Sequence, residues 1–158
     1  MEKRIPITKE GKVKIENELD HLIRVEREQL KKTISAAREL GDLKENAEYH
    51  SAKEKQAHVE GRIMQLQGVV AKMDVIDVAG IKSDKIAFGA TVTLYDVEKE
   101  ESVKYQIVGD EESDFANGRI SYNSPLGKAL IGKEEGDTII VKAPKGDVEY
   151  EVELLEYK

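Results

Sequence analysis

At 158 residues, with 39% hydrophobic and 36% charged side chains, the chain is too polar for one compact globule and suits long helices with thin buried seams. Cysteine is absent, which excludes disulfide scaffolds and thiolate metal sites. The net charge of −7 belongs to the second half: residues 1–80 carry 15 Lys+Arg against 15 Asp+Glu, and residues 81–158 carry 10 against 17, so this acidic half does not coat duplex DNA unaided.

From the N-terminus, Met1 to Pro6 lacks the apolar stretch of a signal peptide, and no run of about 18 apolar residues follows, so a cytoplasmic protein away from the membrane is expected. Pro6 and Thr8 predict a helix start, with Thr8 as N-cap and Glu10 in the first turn. One helix is then expected to Leu40, interrupted only by Gly11, with Ile15, Leu19, Leu22, Leu30, Ala37 and Leu40 on one face. After Gly41 a second helix carries Val59, Ile63, Leu66, Val70 and Met73, and the same steps run back through Gln56, Ala52 and Tyr49 to Glu45. Two such stripes across a short turn bury each other by folding back, which predicts a long antiparallel helical hairpin, a coiled coil. Towards the turn its seam becomes small and polar, and Glu26, Gln29 and Thr33 lie opposite, so packing there should be weak.

Beyond Met73 the period changes. Val75 to Val78, Ala90 to Tyr95, Ser102 to Val108, Thr138 to Val141 and Val148 to Leu154 read as strands, and Ser124, Pro125 and Gly132 enclose one short helix. The expected architecture is two domains: a hairpin over 1–77, and an α+β domain with a mostly antiparallel sheet over 78–158.

At the turn, Asp42 and Glu45 stand three apart, so one helical turn puts both carboxylates on the same side. Two roles are open: a capping box, with Asp42 as N-cap and Glu45 as its partner, or acids facing outward from the tip. Two carboxylates alone hold Mg²⁺ poorly, so no metal is expected in the free protein, and the pair could only complete a metal site that a partner already holds. Arg24, Arg27, Lys31 and Arg38 form a basic stripe on the first helix, predicted to face solvent on the side away from the seam. Such a stripe is either a solvated face or a track for a single nucleic-acid strand. The three histidines lack metal-ligand spacing, and no Walker-type loop or nucleophile elbow is present.

The segment Gly41 to Tyr49, with Glu60-Gly61-Arg62-Ile63 downstream, resembles the bacterial Gre transcript-cleavage factors of the GreA type. The likeness continues through Phe88 to Val92, Ile107 to Asp110, Ser121 to Leu126 and Leu130 to Glu134, covering nearly the whole chain. The resemblance implies an FKBP-like C-terminal domain that docks on the rim of RNA polymerase's secondary channel, with Asn123, Ser124 and Pro125 as docking residues. It implies that Asp42 and Glu45 act beside the polymerase's Mg²⁺ to stimulate cleavage of nascent RNA near its 3′ end, so that the chain is not itself an enzyme. Rival expectations are a binding-only paralogue that inhibits polymerase, a prolyl isomerase and a hairpin chaperone.

Overall fold

The computed structural model describes residues 4–41 and 45–158. The chain divides into two compact units: Val13–Met73 in one, and Arg4–Lys12 with Asp74–Lys158 in the other.

The first unit is helical. Helix α1 (Lys9–His21) passes into a π-helical segment, Leu22–Glu26, and then into α2 (Arg27–Arg38), while α3 (Ala47–Lys72) returns alongside. The cross-helix partners Ala37 with Asn46, Arg27 with Glu60 and Glu18 with Arg62 step forward on one run and backward on the other, so the helices are antiparallel. Ile15, Leu22, Ile34, Ala37, Ala52, Ile63, Leu66 and Val69 form the buried seam. Two details differ from the predicted faces. Ile34 replaces Leu40, which is 70% exposed because α2 has already ended, and Val69 is buried more deeply than Val70. A true helical period of 3.6 drifts off a strict seven-residue repeat, which moves the contact by one position towards the helix end.

The second unit is a five-stranded sheet, ordered β5-β4-β3-β7-β6, built from β3 (Thr91–Asp96), β4 (Glu101–Val108), β5 (Arg119–Ser121), β6 (Thr138–Ala143) and β7 (Gly146–Glu156). β4 and β5 are parallel and the other pairings antiparallel. Alternation along β3 puts Val92 and Leu94 inward, with Ile107, Ile120, Ile139 and Val152, and Leu130 of the short helix α4 (Pro125–Leu130) completes this core. Ser124 caps α4 by accepting from the Gly127 N–H, and Pro125 occupies its first position, as the sequence predicts.

The residues before Gly11 do more than start a helix. Ile5–Thr8 is a strand, β1, that pairs with β2 (Met73–Ile76). Thr8 still caps α1, its hydroxyl accepting from the Gly11 N–H at 3.1 Å. The buried carboxylate of Glu112 accepts from the backbone N–H groups of Thr8 and Gly109, each at 3.0 Å, from the Thr8 hydroxyl and from Arg119 Nη2 at 3.1 Å. Among the described residues, no helix is long and apolar enough to cross a membrane.

Candidate functional site

Helix α3 starts at Ala47, so the orphan donors of its first turn need an acceptor just ahead of it. Asn46 supplies it. Its Oδ1 accepts from the Tyr49 N–H at 3.0 Å, and its Nδ2 donates to the Ala37 carbonyl at 2.6 Å, so one side chain serves the start of α3 and the end of α2. The predicted capping box therefore does not form through Glu45, which sits outside the helix, exposed, immediately before its cap. Asp42 lies outside the described residues. The cap was open to prediction, since asparagine is among the best N-cap residues.

The basic stripe divides. Arg27 is bidentate to Glu60 across the seam, Nε at 2.7 Å and Nη2 at 2.8 Å, and so does not face solvent on the side away from α3. Within α2, Arg27 stands three, seven and ten positions before Leu30, Ile34 and Ala37, a spacing that puts it on their side of the helix. Ahead of it, in the π segment, the Arg27 N–H reaches the Leu22 carbonyl, and the extra residue of a π turn offsets Arg24 from the residues of α2. Lys31 and Arg38 stay together on one flank of α2. Arg24 pairs with Asp20 at 2.7 Å, Lys31 with Glu28 at 3.1 Å, and the Arg38 guanidinium lies 5.8 Å from the Tyr49 ring centroid. Lys31 and Arg38 line a shallow concavity with Ser35, Lys53 and Gln56, about 260 Å³ and without an acidic lining residue. Lys53 is a cation that the sequence reading missed, because it comes from the other helix.

Hydrogen bonds from Arg27 hold the Glu60 carboxyl below its ordinary value of 4.5, and Arg62 does the same for Glu18 through bonds of 2.8 and 3.1 Å. Between these crossings and the turn, packing opens into a cleft of about 490 Å³ lined by Glu26, Gln29, Leu30 and Thr33 on one side and by Ser51, Ala52, Lys55, His58 and Val59 on the other. This is the weak distal packing that the polar seam predicts.

In the second unit, Asn123 and Pro125 are exposed and Ser124 is half-buried. The Ser124 hydroxyl donates to the Ser121 carbonyl at 2.6 Å, and a Cβ on Gly127 would collide with that same oxygen, so the loop is closely packed on the start of α4. Among the described residues, no group of three or more His, Cys, Asp or Glu could hold a metal.

The family model "Transcription elongation factor, N-terminal" matches residues 5–75, and "Transcription elongation factor, GreA/GreB, C-term" matches residues 81–157. The chain is 52% identical over 155 residues to transcription elongation factor GreA of Xylella fastidiosa (strain 9a5c), covering 98% of both chains. It is 49% identical over 154 residues to GreA of Anaeromyxobacter sp. (strain K), covering 98% of this chain and 93% of the relative. A solved structure of GreA factor homolog 1 (Gfh1) of Thermus thermophilus aligns with a TM-score of 0.46 at 25% identity, covering 98% of this chain and 99% of that one. The chain belongs to the GreA/GreB family of transcription elongation factors. Identity near 50% to curated GreA proteins makes it a GreA-type elongation factor and disfavours the binding-only alternative.

Proposed function

We propose that this chain binds RNA polymerase, docking an FKBP-like C-terminal domain on the rim of the secondary channel and inserting its coiled-coil arm towards the active centre. There Asp42 and Glu45 stimulate the polymerase's own endonucleolytic cleavage of nascent RNA in backtracked complexes. The shortened transcript then carries a 3′ end in register for elongation. In this division of labour, which belongs to the cytoplasm, residues 1–77 serve as the arm and 78–158 as the docking domain through Asn123, Ser124 and Pro125. Arg4–Lys12 packs with the docking side.

The observation that carries the reading is Asn46. Because it takes over the capping of α3, Glu45 has no structural duty among the described residues and stays exposed beside the turn. A 26-residue α3 is about 39 Å long, enough to carry such a group deep into a channel. Two carboxylates alone are too few oxygen donors for Mg²⁺, which suits acids that add ligands to an ion bound elsewhere. The polymerase's divalent ion would supply the Lewis acid and the activated water, and Asp42 and Glu45 would add carboxylates beside it. The chain is thus a cofactor of polymerase rather than an enzyme.

Mixed with a stalled, labelled elongation complex and Mg²⁺, the protein is expected to release short 3′ RNA fragments. Asp42→Asn is expected to fold and bind normally while losing cleavage stimulation by about 10²-fold or more. Normal RNA shortening by that variant would defeat the assignment.

The extruded RNA 3′ segment is assigned to the flank of Lys31 and Arg38, joined by Lys53, with Arg24 further along the same helical run. Arg27 supports that flank through Glu60 instead of touching RNA directly. Reversing Lys31 and Lys53 to glutamate is expected to cut crosslinking to that RNA several-fold with helicity unchanged. Equal crosslinking would leave the flank a solvated face.

A further inference from the structure

Asn123 is exposed, yet its side chain is not at liberty to present either end. Asp110, in the turn after β4, accepts from Asn123 Nδ2 at 2.9 Å and also from the Ser121 hydroxyl. The Ser121 oxygen in turn accepts from the Asn123 backbone N–H at 3.0 Å. An ionised carboxylate only accepts, so the Asn123 atom facing Asp110 has to be the amide nitrogen. Its oxygen Oδ1 is then the end that faces away, and no described residue donates to it.

Both sides of this contact are anchored. Two residues beyond Asp110, the buried Glu112 carboxylate fixes the turn through Gly109, Thr8 and Arg119. On the other side, Ser121 is held through its carbonyl by the N–H and hydroxyl of Ser124, against a Gly127 that leaves no room for a side chain. Neither partner can drift without breaking the bonds that anchor it. The orientation of a surface amide, ordinarily free to flip, is imposed from within the domain.

We propose that Asp110 is a positioning residue that sets the polarity of the docking loop: it turns Asn123 so that the loop offers a hydrogen-bond acceptor, which the partner meets with an N–H donor from an arginine, lysine or backbone amide. This rests on the docking reading above. The partner's rim should therefore present a donor opposite Asn123, and a carboxylate there would be repelled by the neighbouring Asp110.

The test is a double-mutant cycle on the full chain, read as binding of the labelled protein to core RNA polymerase and as the concentration giving half-maximal RNA cleavage. Asp110→Ala and Asn123→Ala are each expected to weaken binding about tenfold, the loss of one well-aligned hydrogen bond to a charged donor, while cleavage at saturation stays level. In the Asn123→Ala background, Asp110→Ala should add nothing, because Asp110 acts through Asn123. The exchanged pair, Asp110→Asn with Asn123→Asp, again turns an acceptor outward and should bind within about threefold of the original. Unchanged binding in Asp110→Ala, additive losses, or failure of the exchanged pair to recover would each overturn the proposal. Asn123→Ala, at an exposed position, keeps the question answerable if Asp110→Ala does not fold: unchanged binding there overturns it equally. Absence of polymerase binding by the unaltered protein would instead bring down the docking reading, and this inference with it.

Discussion

Gly11 shows how a single residue can invert a general rule. In the early turns of a helix, alanine ordinarily exceeds glycine by about 1 kcal/mol. A Cβ at Gly11, however, would overlap the Glu112 carboxyl, and that group has no easy retreat because Thr8, Gly109 and Arg119 all donate to it in a buried setting. Overpacking costs about 1–3 kcal/mol and leaving buried donors unpaired costs about as much again, so the steric effect wins. Gly11→Ala is expected to lower the urea unfolding free energy by about 1–3 kcal/mol, and a raised midpoint would show that Glu112 moves freely. Sequence reading saw only an interruption at Gly11. The partner that explains it follows Thr8 by 104 positions, beyond the reach of any local pattern.

At the scale of elements, much that is set locally is legible, although the strand expected over Val75 to Val78 lies at Met73–Ile76 and α3 starts at its Asn46 cap. The ends of α4 follow from Ser124 and Pro125, and the strands β3, β4, β6 and β7 from alternation. What escaped was decided by pairing over distance. β5 is three residues long and exists because Ile107 and its neighbours pair beside it, and β1 is a strand because Met73–Ile76 lies alongside. The π segment left no mark in composition, although Ala37 beyond it is buried as the stripe predicts.

The arm's paired carboxylates also carry a pH dependence. Glu18 and Glu60 titrate below 4.5 when folded and near it when unfolded, so the unfolded arm binds more protons in that range. Their stabilisation is complete above about pH 4.5 and drains away as pH falls through the lowered values. Thermal melting followed by helical circular dichroism should show the arm losing stability below that point. Replacing Glu18 and Glu60 with glutamine should flatten the acid limb, and an identical acid limb would assign the effect to other groups.

For the molecule as a whole, the division that composition suggested near residue 80 is only part of the arrangement. Arg4–Lys12 packs with Asp74–Lys158, so a piece beginning at Val78 would lack Thr8, one of Glu112's donors, and the β1 strand. Such a fragment is expected to melt below one in which Arg4–Lys12 is joined by a flexible linker to Asp74–Lys158. For a domain of this size the gap should be about 4–8 °C for each kcal/mol that β1 and Thr8 contribute. Equal melting temperatures would mean that the early segment adds nothing to the sheet domain. Asp42 and Glu45 stand out in the sequence as part of a short motif, whereas the bond from Asn46 to Ala37 and the place of Lys53 beside Lys31 and Arg38 depend on both helices together.

That interleaving bears on the order in which the protein is made. Val13 to Met73 can pair up as soon as the ribosome releases it, because the buried seam from Ile15 to Val69 lies within that stretch. The nine residues Arg4–Lys12 leave the tunnel earlier but have to wait for Gly109 and Glu112, and β3 has to wait for β7, the last strand synthesised. The helical insert is thus finished first, and the scaffold into which it is spliced closes last.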